Sequence, residues 1–162
     1  LGDRCTVIRG NHEQLLATHI MHYCNIPERK RKKLSPYEYN SFELLKNRLT
    51  LMDLKNLAEW IMEMPLQANI QVEGVEYLLA HAKTSHPNEP REDDYYMNGE
   101  MDDKKYMEVG IEGYISICGH HELQRSIWKN AKENVYVVDC GCGYRDGRLG
   151  CLCLETKEEF YV

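Results

Sequence analysis

The sequence contains no apolar run approaching ~20 residues, which excludes an ordinary membrane-spanning helix. Its first residues lack the charged-then-apolar pattern of a secretory signal peptide. A basic surplus is also missing. With 20 Lys and Arg against 26 Asp and Glu, the formal charge is −6, which argues against bulk nucleic-acid binding. No internal repeat or low-complexity tract is visible, so solenoid and repetitive architectures are excluded. There is no C-x₂-C pair and no EF-hand spacing, so neither a zinc knuckle nor a calcium loop is written in the chain. An initiator Met is absent too. The chain opens at Leu1 and enters an apolar, strand-like segment at once, so a leading segment is expected ahead of it.

At 162 residues and 43% apolar composition, the sequence supports a single domain, residues 1–162, with a real core. Seven cysteines without a secretion signal read as thiols of a reducing, cytoplasmic compartment. A helix is predicted over 14–23. Ser35-Pro36-Tyr37-Glu38 reads as a second helix start, with a Ser cap and Pro at the first helical position. Thr50-Leu51-Met52-Asp53 reads as a third. Its apolar stripe runs through Leu54, Leu57, Ala58 and Ile61 at i, i+3, i+4 and i+7, and Pro65 closes it. Strands over 68–72 and 75–80 flank Glu73-Gly74 as a hairpin. Residues 83–108 are polar and acidic and are expected to form a long loop or cap. Further strands are predicted over 114–118, 135–139, 149–155 and 159–162. The order gives a mixed α/β (α+β) fold, with helices grouped early and strands late.

Three histidines stand where an apolar, strand-like segment runs out. Residues 5–9 lead into Gly10-Asn11-His12-Glu13, residues 77–80 into His81, and residues 114–118 into Gly119-His120. Layered α/β folds deliver ligands and acid–base groups to one rim of a sheet in this way. Neutral imidazole binds zinc, iron and related ions, and an Asn carbonyl oxygen can share such a site. Asn11, His81 and His120 therefore offer a mixed N/O set for one divalent transition metal. Gly10 and Gly119 precede two of these ligands and are expected to ease close backbone approach. On an extended backbone His12 points away from Asn11, which suits it to proton transfer. Arg9 suits an anionic, phosphate-like substrate through its fork of donors. Metal, imidazole acid and guanidinium together describe phosphoester hydrolysis.

The motif Arg9-Gly10-Asn11-His12-Glu13 resembles the R-G-N-H-E motif of the calcineurin-like metallophosphoesterases, particularly the phosphoprotein phosphatases and the symmetrical dinucleoside tetraphosphatases. Leu79-Ala80-His81-Ala82 resembles the family's V-H-A-G, and Cys118-Gly119-His120-His121 its F-G-H-T. The stretch from Asp139 through Gly141, Gly143 and Tyr144 to Gly147-Arg148-Leu149 is similar to its D-T-G-x-x-[FY]-G-G-x-L segment, and Pro65-Leu66-Gln67 is typical of bacterial members. The resemblance covers nearly the whole chain. It implies a layered β-sandwich flanked by helices, and metal-dependent hydrolysis of phosphomonoesters in the manner of serine/threonine phosphatases. Attack would be in line, by metal-activated water. It further implies manganese, iron or zinc at Asn11, His81 and His120, His12 as general acid, and Arg9 as a phosphate contact. The substrate would be a phosphoprotein or a nucleotide. A dinucleoside tetraphosphate hydrolase and a non-catalytic, phosphatase-derived binding module are the alternatives.

Two family motifs are not present: an N-terminal D-x-H, and a G-D-x-x-D-R-G that supplies the carboxylate bridging two ions. Leu1-Gly2-Asp3-Arg4 is superficially similar to the second, but Asp3 lies only eight residues before Asn11 and leaves no room for the intervening helix. One metal site is therefore expected, on the C-terminal two-thirds of such a domain. Lys83 stands at the family's Gly and His121 at its Thr; drift is the favoured reading of both. His19 and His22 read as surface or core residues, and His86 and His121 as secondary ligand candidates. Cys140, Cys142, Cys151 and Cys153 fit either a four-thiolate zinc site or core packing, with packing favoured. The basic run at 29–33 reads as a solvated loop, and Asp93-Asp94 and Asp102-Asp103 as solubilising charge.

Overall fold

Four helices open the chain and the strands follow, with two further short helices set among them, in residues 4–162, which the computed structural model describes. Asp3, compared above with the second family motif, lies outside the described residues. The described chain is mixed α/β with six helices and two sheets, divided into two compact units, Leu1–Pro65 and Leu66–Val162. Among the described residues no helix is long and apolar enough to cross a membrane.

The first unit is helical: α1 (Asn11–Asn25), α2 (Glu28–Arg31), α3 (Ser41–Lys46) and α4 (Leu51–Glu63). The Glu13 carboxylate accepts the Gly10 N–H at 3.1 Å and satisfies one of the donors that a helix start leaves open. At α4 the capping box is complete. The Thr50 hydroxyl accepts the Asp53 N–H at 3.2 Å, and the Asp53 carboxylate accepts the Thr50 N–H at 3.1 Å and the hydroxyl at 2.6 Å. The hydroxyl first, and the N–H second, hold the Asp53 carboxyl below its usual range. A lowered carboxyl favours the folded state above the ordinary carboxylate pKa, and that contribution fades as pH falls through the folded value. Thr50→Ala is accordingly expected to lower the thermal midpoint by about 2–4 °C, measured by circular dichroism at neutral pH.

The stripe of α4 buries Leu54, Ala58 and Ile61 against Ala17 and Ile20 of α1 and Phe42 of α3, with Leu57 partly buried beside them. Three expectations are corrected in this unit. Residues 5–9 do not form a strand. Val7 is exposed, and the Arg9 N–H donates to the Pro65 carbonyl at 2.9 Å. An apolar, β-branched run is only a propensity, and pairing decides. No helix begins at Ser35, because the tyrosines that follow turn onto α1 and the helix waits until Ser41. The helix predicted over 14–23 starts earlier, at Asn11, and ends later, at Asn25.

In the second unit, β1 (Gln67–Val72) and β2 (Val75–Ala80) pair antiparallel from Gln67↔Ala80 to Val72↔Val75. Glu73 and Gly74 carry φ of 49° and 82°, the pair of left-handed residues that a two-residue hairpin turn demands. The sheet continues through β3 (Ile115–Cys118), β4 (Trp128–Lys129) and β5 (Val135–Val137) in the order β1-β2-β3-β5-β4, with β2, β3 and β5 parallel. A second sheet holds β6 (Asp139–Cys140), β7 (Arg148–Leu152) and β8 (Glu159–Tyr161). Strand alternation sorts the core. Tyr77, Ile117 and Tyr136 pack with Cys140, Leu152 and Tyr161 of the second sheet, whereas Cys118 and Val135 face Tyr106.

Residues 83–108 are not one loop. They carry two short helices, α5 (Asp93–Asn98) and α6 (Lys104–Val109), anchored by buried Tyr96, Met97 and Tyr106. The strand predicted over 135–139 is divided at Val138 between β5 and β6, and β4 was not predicted.

Candidate functional site

The parallel pairing of β2 and β3 places their C-terminal ends side by side, with Leu79 opposite Ile117. His81 follows β2 directly, and His120 follows β3 after one residue. The Gly119 N–H donates to the His81 carbonyl at 2.8 Å and ties the two ends together. His81 Nε2 and His120 Nδ1 stand 3.1 Å apart with their rings tilted by 59°. The position is the rim outside the carboxyl ends of parallel strands, where open α/β sheets bind ligands.

His120 carries φ 65°, and the His121 N–H reaches back to the Gly119 carbonyl at 2.7 Å. That i→i+2 bond around a positive φ makes a γ-turn of the rare, strained hand. Glycine does not occupy the strained position; the histidine does. Such conformations cost on the order of 1–3 kcal/mol and persist where the surroundings impose them. Neither neighbouring glycine takes a left-handed backbone, and Gly119 has room for a Cβ. Gly10 has φ −105°, and a Cβ on Gly119 would meet the His81 carbonyl oxygen at an ordinary 3.5 Å.

The donor chemistry fits a divalent transition metal. Two imidazole nitrogens ~2.1 Å from one ion at right angles stand ~3.0 Å apart, and at a tetrahedral angle ~3.4 Å. The observed 3.1 Å falls between these values. The same spacing suits a hydrogen bond when one ring carries the proton. Among the described residues no three His, Cys, Asp or Glu side chains converge on a common point. The proposed ligand set contains two residues of those types and an amide. The four cysteines weighed above differ in their surroundings. Cys140 is buried, whereas Cys142 and Cys151 are exposed and Cys153 is half-buried, so core packing accounts for Cys140 alone.

The remaining predicted residues belong to the first unit. Arg9 is buried, and its guanidinium Nη1 donates to the Met62 carbonyl at 2.7 Å, near the negative end of α4. Asn11 and His12 open α1 and are helical rather than extended. Successive helical side chains diverge by about 100°, so the two still point apart. His12 is exposed, its ring stacked on Tyr39 with centroids 4.5 Å apart and planes 35° apart. The Tyr37 hydroxyl donates to the His12 carbonyl at 3.4 Å. Sequence reasoning missed both tyrosines, although aromatic residues two apart after a Pro were a visible signal.

Lys83 was read as drift, but the structure gives it a specific setting. It is buried, with its ammonium 5.0 Å from both the Tyr95 and Tyr106 rings and 3.7 Å from Asp103 Oδ2. Beneath it runs a buried polar chain. The Thr84 hydroxyl donates to Ser116 Oγ at 2.7 Å and meets Tyr106 Oη at 2.9 Å, and Tyr106 Oη lies 3.2 Å from Cys118 Sγ. Burial pushes the Cys118 thiol up to about 11 and the Tyr106 phenol well above its ordinary value. These groups stay neutral at physiological pH, and their place is structural. His121 bonds to the Gly99 carbonyl at 3.1 Å and packs edge-on against His120. His86 accepts the Asn88 N–H at 3.2 Å and meets the edge of Tyr114. Both secondary ligand candidates therefore have protein partners. No protein-family model matches the chain, and no curated protein matches it.

Proposed function

We propose that this chain is metallophosphoesterase-like, and that its chemistry is metal-dependent hydrolysis of phosphomonoesters of the serine/threonine phosphatase kind. The observation that carries the reading is the His81–His120 pair. Two ring nitrogens lie 3.1 Å apart at the ends of adjacent parallel strands, one of them presented by a strained turn. The motif Arg9-Gly10-Asn11-His12-Glu13 supports it independently.

His81 and His120 would hold a divalent ion such as manganese, iron or zinc, and the motif assigns Asn11 to the same ion. When bound, that ion supplies Lewis-acid activation of the attacking water and neutralises charge on the phosphoryl oxygens. His12, exposed at the first turn of α1, delivers a proton to the leaving oxygen. Arg9, held against the end of α4, steadies the segment ahead of α1 and is the proposed phosphate contact.

The test is p-nitrophenyl phosphate turnover with added manganese, with and without chelator, alongside metal analysis of the protein. Turnover that chelator abolishes and manganese restores supports the reading. Bound metal without turnover on this or a dinucleoside tetraphosphate substrate moves the weight to a phosphatase-derived binding module. Neither metal nor turnover overturns the reading.

A further inference from the structure

We infer that Tyr39 is a specificity-determining residue, and that the site prefers phosphate monoesters with a flat aromatic leaving group over those with a short alkyl one. This rests on the proposed phosphoesterase reading, in which His12 protonates the leaving oxygen. A general acid works at about 2.6–3.2 Å from the atom it protonates, so the leaving group must lie directly against the His12 ring.

The wall at that place is aromatic. Tyr39 stacks on His12 with centroids 4.5 Å apart, and Tyr37 stands edge-on to Tyr39 at 5.7 Å. Tyr37 is held in turn, its hydroxyl on the His12 carbonyl at 3.4 Å and its ring 5.1 Å from that of His19. Tyr39 keeps 38% of its surface exposed, so part of the ring remains available to a ligand. The first carbons of any leaving group bonded to His12 come within one ring's reach of Tyr39. An aryl group extends over that ring and gains an offset stack or edge contact. A seryl group ends after one carbon and gains nothing from it. The helix start predicted at Ser35 would have placed these rings along a helix. The observed non-helical segment instead turns both toward the start of α1.

The test is calorimetric titration of the manganese-loaded chain with benzylphosphonate and with ethylphosphonate, non-hydrolysable stand-ins for aryl and alkyl monoesters. Wild type is expected to bind benzylphosphonate about 3- to 10-fold more tightly, the range that aromatic pairing supports. In Tyr39→Leu that preference should fall toward parity, while Tyr39→Phe, which keeps the ring, should retain it. As a kinetic check, Tyr39→Leu should lower kcat/KM for a phosphotyrosine peptide several-fold more than for a phosphoserine peptide. Equal binding of the two phosphonates by wild type, or a preference that survives in Tyr39→Leu, overturns the inference and leaves the phosphoesterase reading intact. If neither phosphonate binds, the phosphoesterase reading falls and the aryl preference falls with it.

Discussion

His120→Gly is expected to abolish metal retention and reduce manganese-supported turnover at least ~100-fold, without a matching loss of stability. The contrast with His120→Ala makes the result diagnostic. Both variants remove the imidazole. Only alanine must still place a Cβ at φ 65°, which glycine adopts freely. The glycine variant should therefore be the more stable by ~1 kcal/mol, or about 2–4 °C in thermal midpoint for a chain of this size. Differential scanning fluorimetry and metal analysis on the pair read both quantities. Equal midpoints would mean that the turn stores no strain. Metal content unchanged in both variants would remove His120 from the proposed ligand set. A site residue that becomes more comfortable when deleted is what a stability–activity trade-off predicts.

His12→Asn is expected to cost ~10²–10⁴-fold in turnover while metal content per chain holds steady. The side chain is exposed at the first turn of α1, so its loss removes the proposed proton donor together with its ring contact to Tyr39. Asparagine keeps a polar group of similar reach and cannot act as an acid near neutral pH. The split between chemistry and metal content separates an acid from a ligand. If turnover and metal were lost together, His12 would be a ligand or a folding determinant. Unchanged turnover would leave it no part in the reaction.

Local chemistry was the part of the structure most legible in the sequence. The Glu73-Gly74 hairpin and the Thr50 start of α4 lie where their turn and capping residues place them, because each is decided by neighbours within four positions. The meeting of His81 and His120 was legible too, since each follows an apolar run and parallel strands align such endings. The γ-turn that presents His120 was not, because nothing in Cys118-Gly119-His120-His121 tells which residue takes the positive φ. Short elements were missed for want of period. The helices α5 and α6 have six residues each, too few for a 3.6-residue repeat to stand out from an acidic stretch. Residues 5–9 and Ser35-Pro36 failed for the opposite reason. Each carries a strong local signal, and tertiary contacts overrode it: Arg9 bonds to Pro65 and Met62, and Tyr37 and Tyr39 bond to or stack on His12.

The tyrosine cage around Lys83 has a further consequence, in the response to ionic strength. Salt weakens an ion pair by gathering counterions around it, and counterions need solvent through which to approach. The pairs Lys46–Glu43 and Lys129–Glu133 are open to that screening. Lys83 is buried against two rings, Tyr106 buried and Tyr95 half-buried, while its Asp103 partner is exposed. Concentrated salt can loosen the carboxylate end of this contact but not the aromatic end. The start of the connection between β2 and β3 is thus fastened to the two helices that the same connection carries, by a contact that brine does not dissolve.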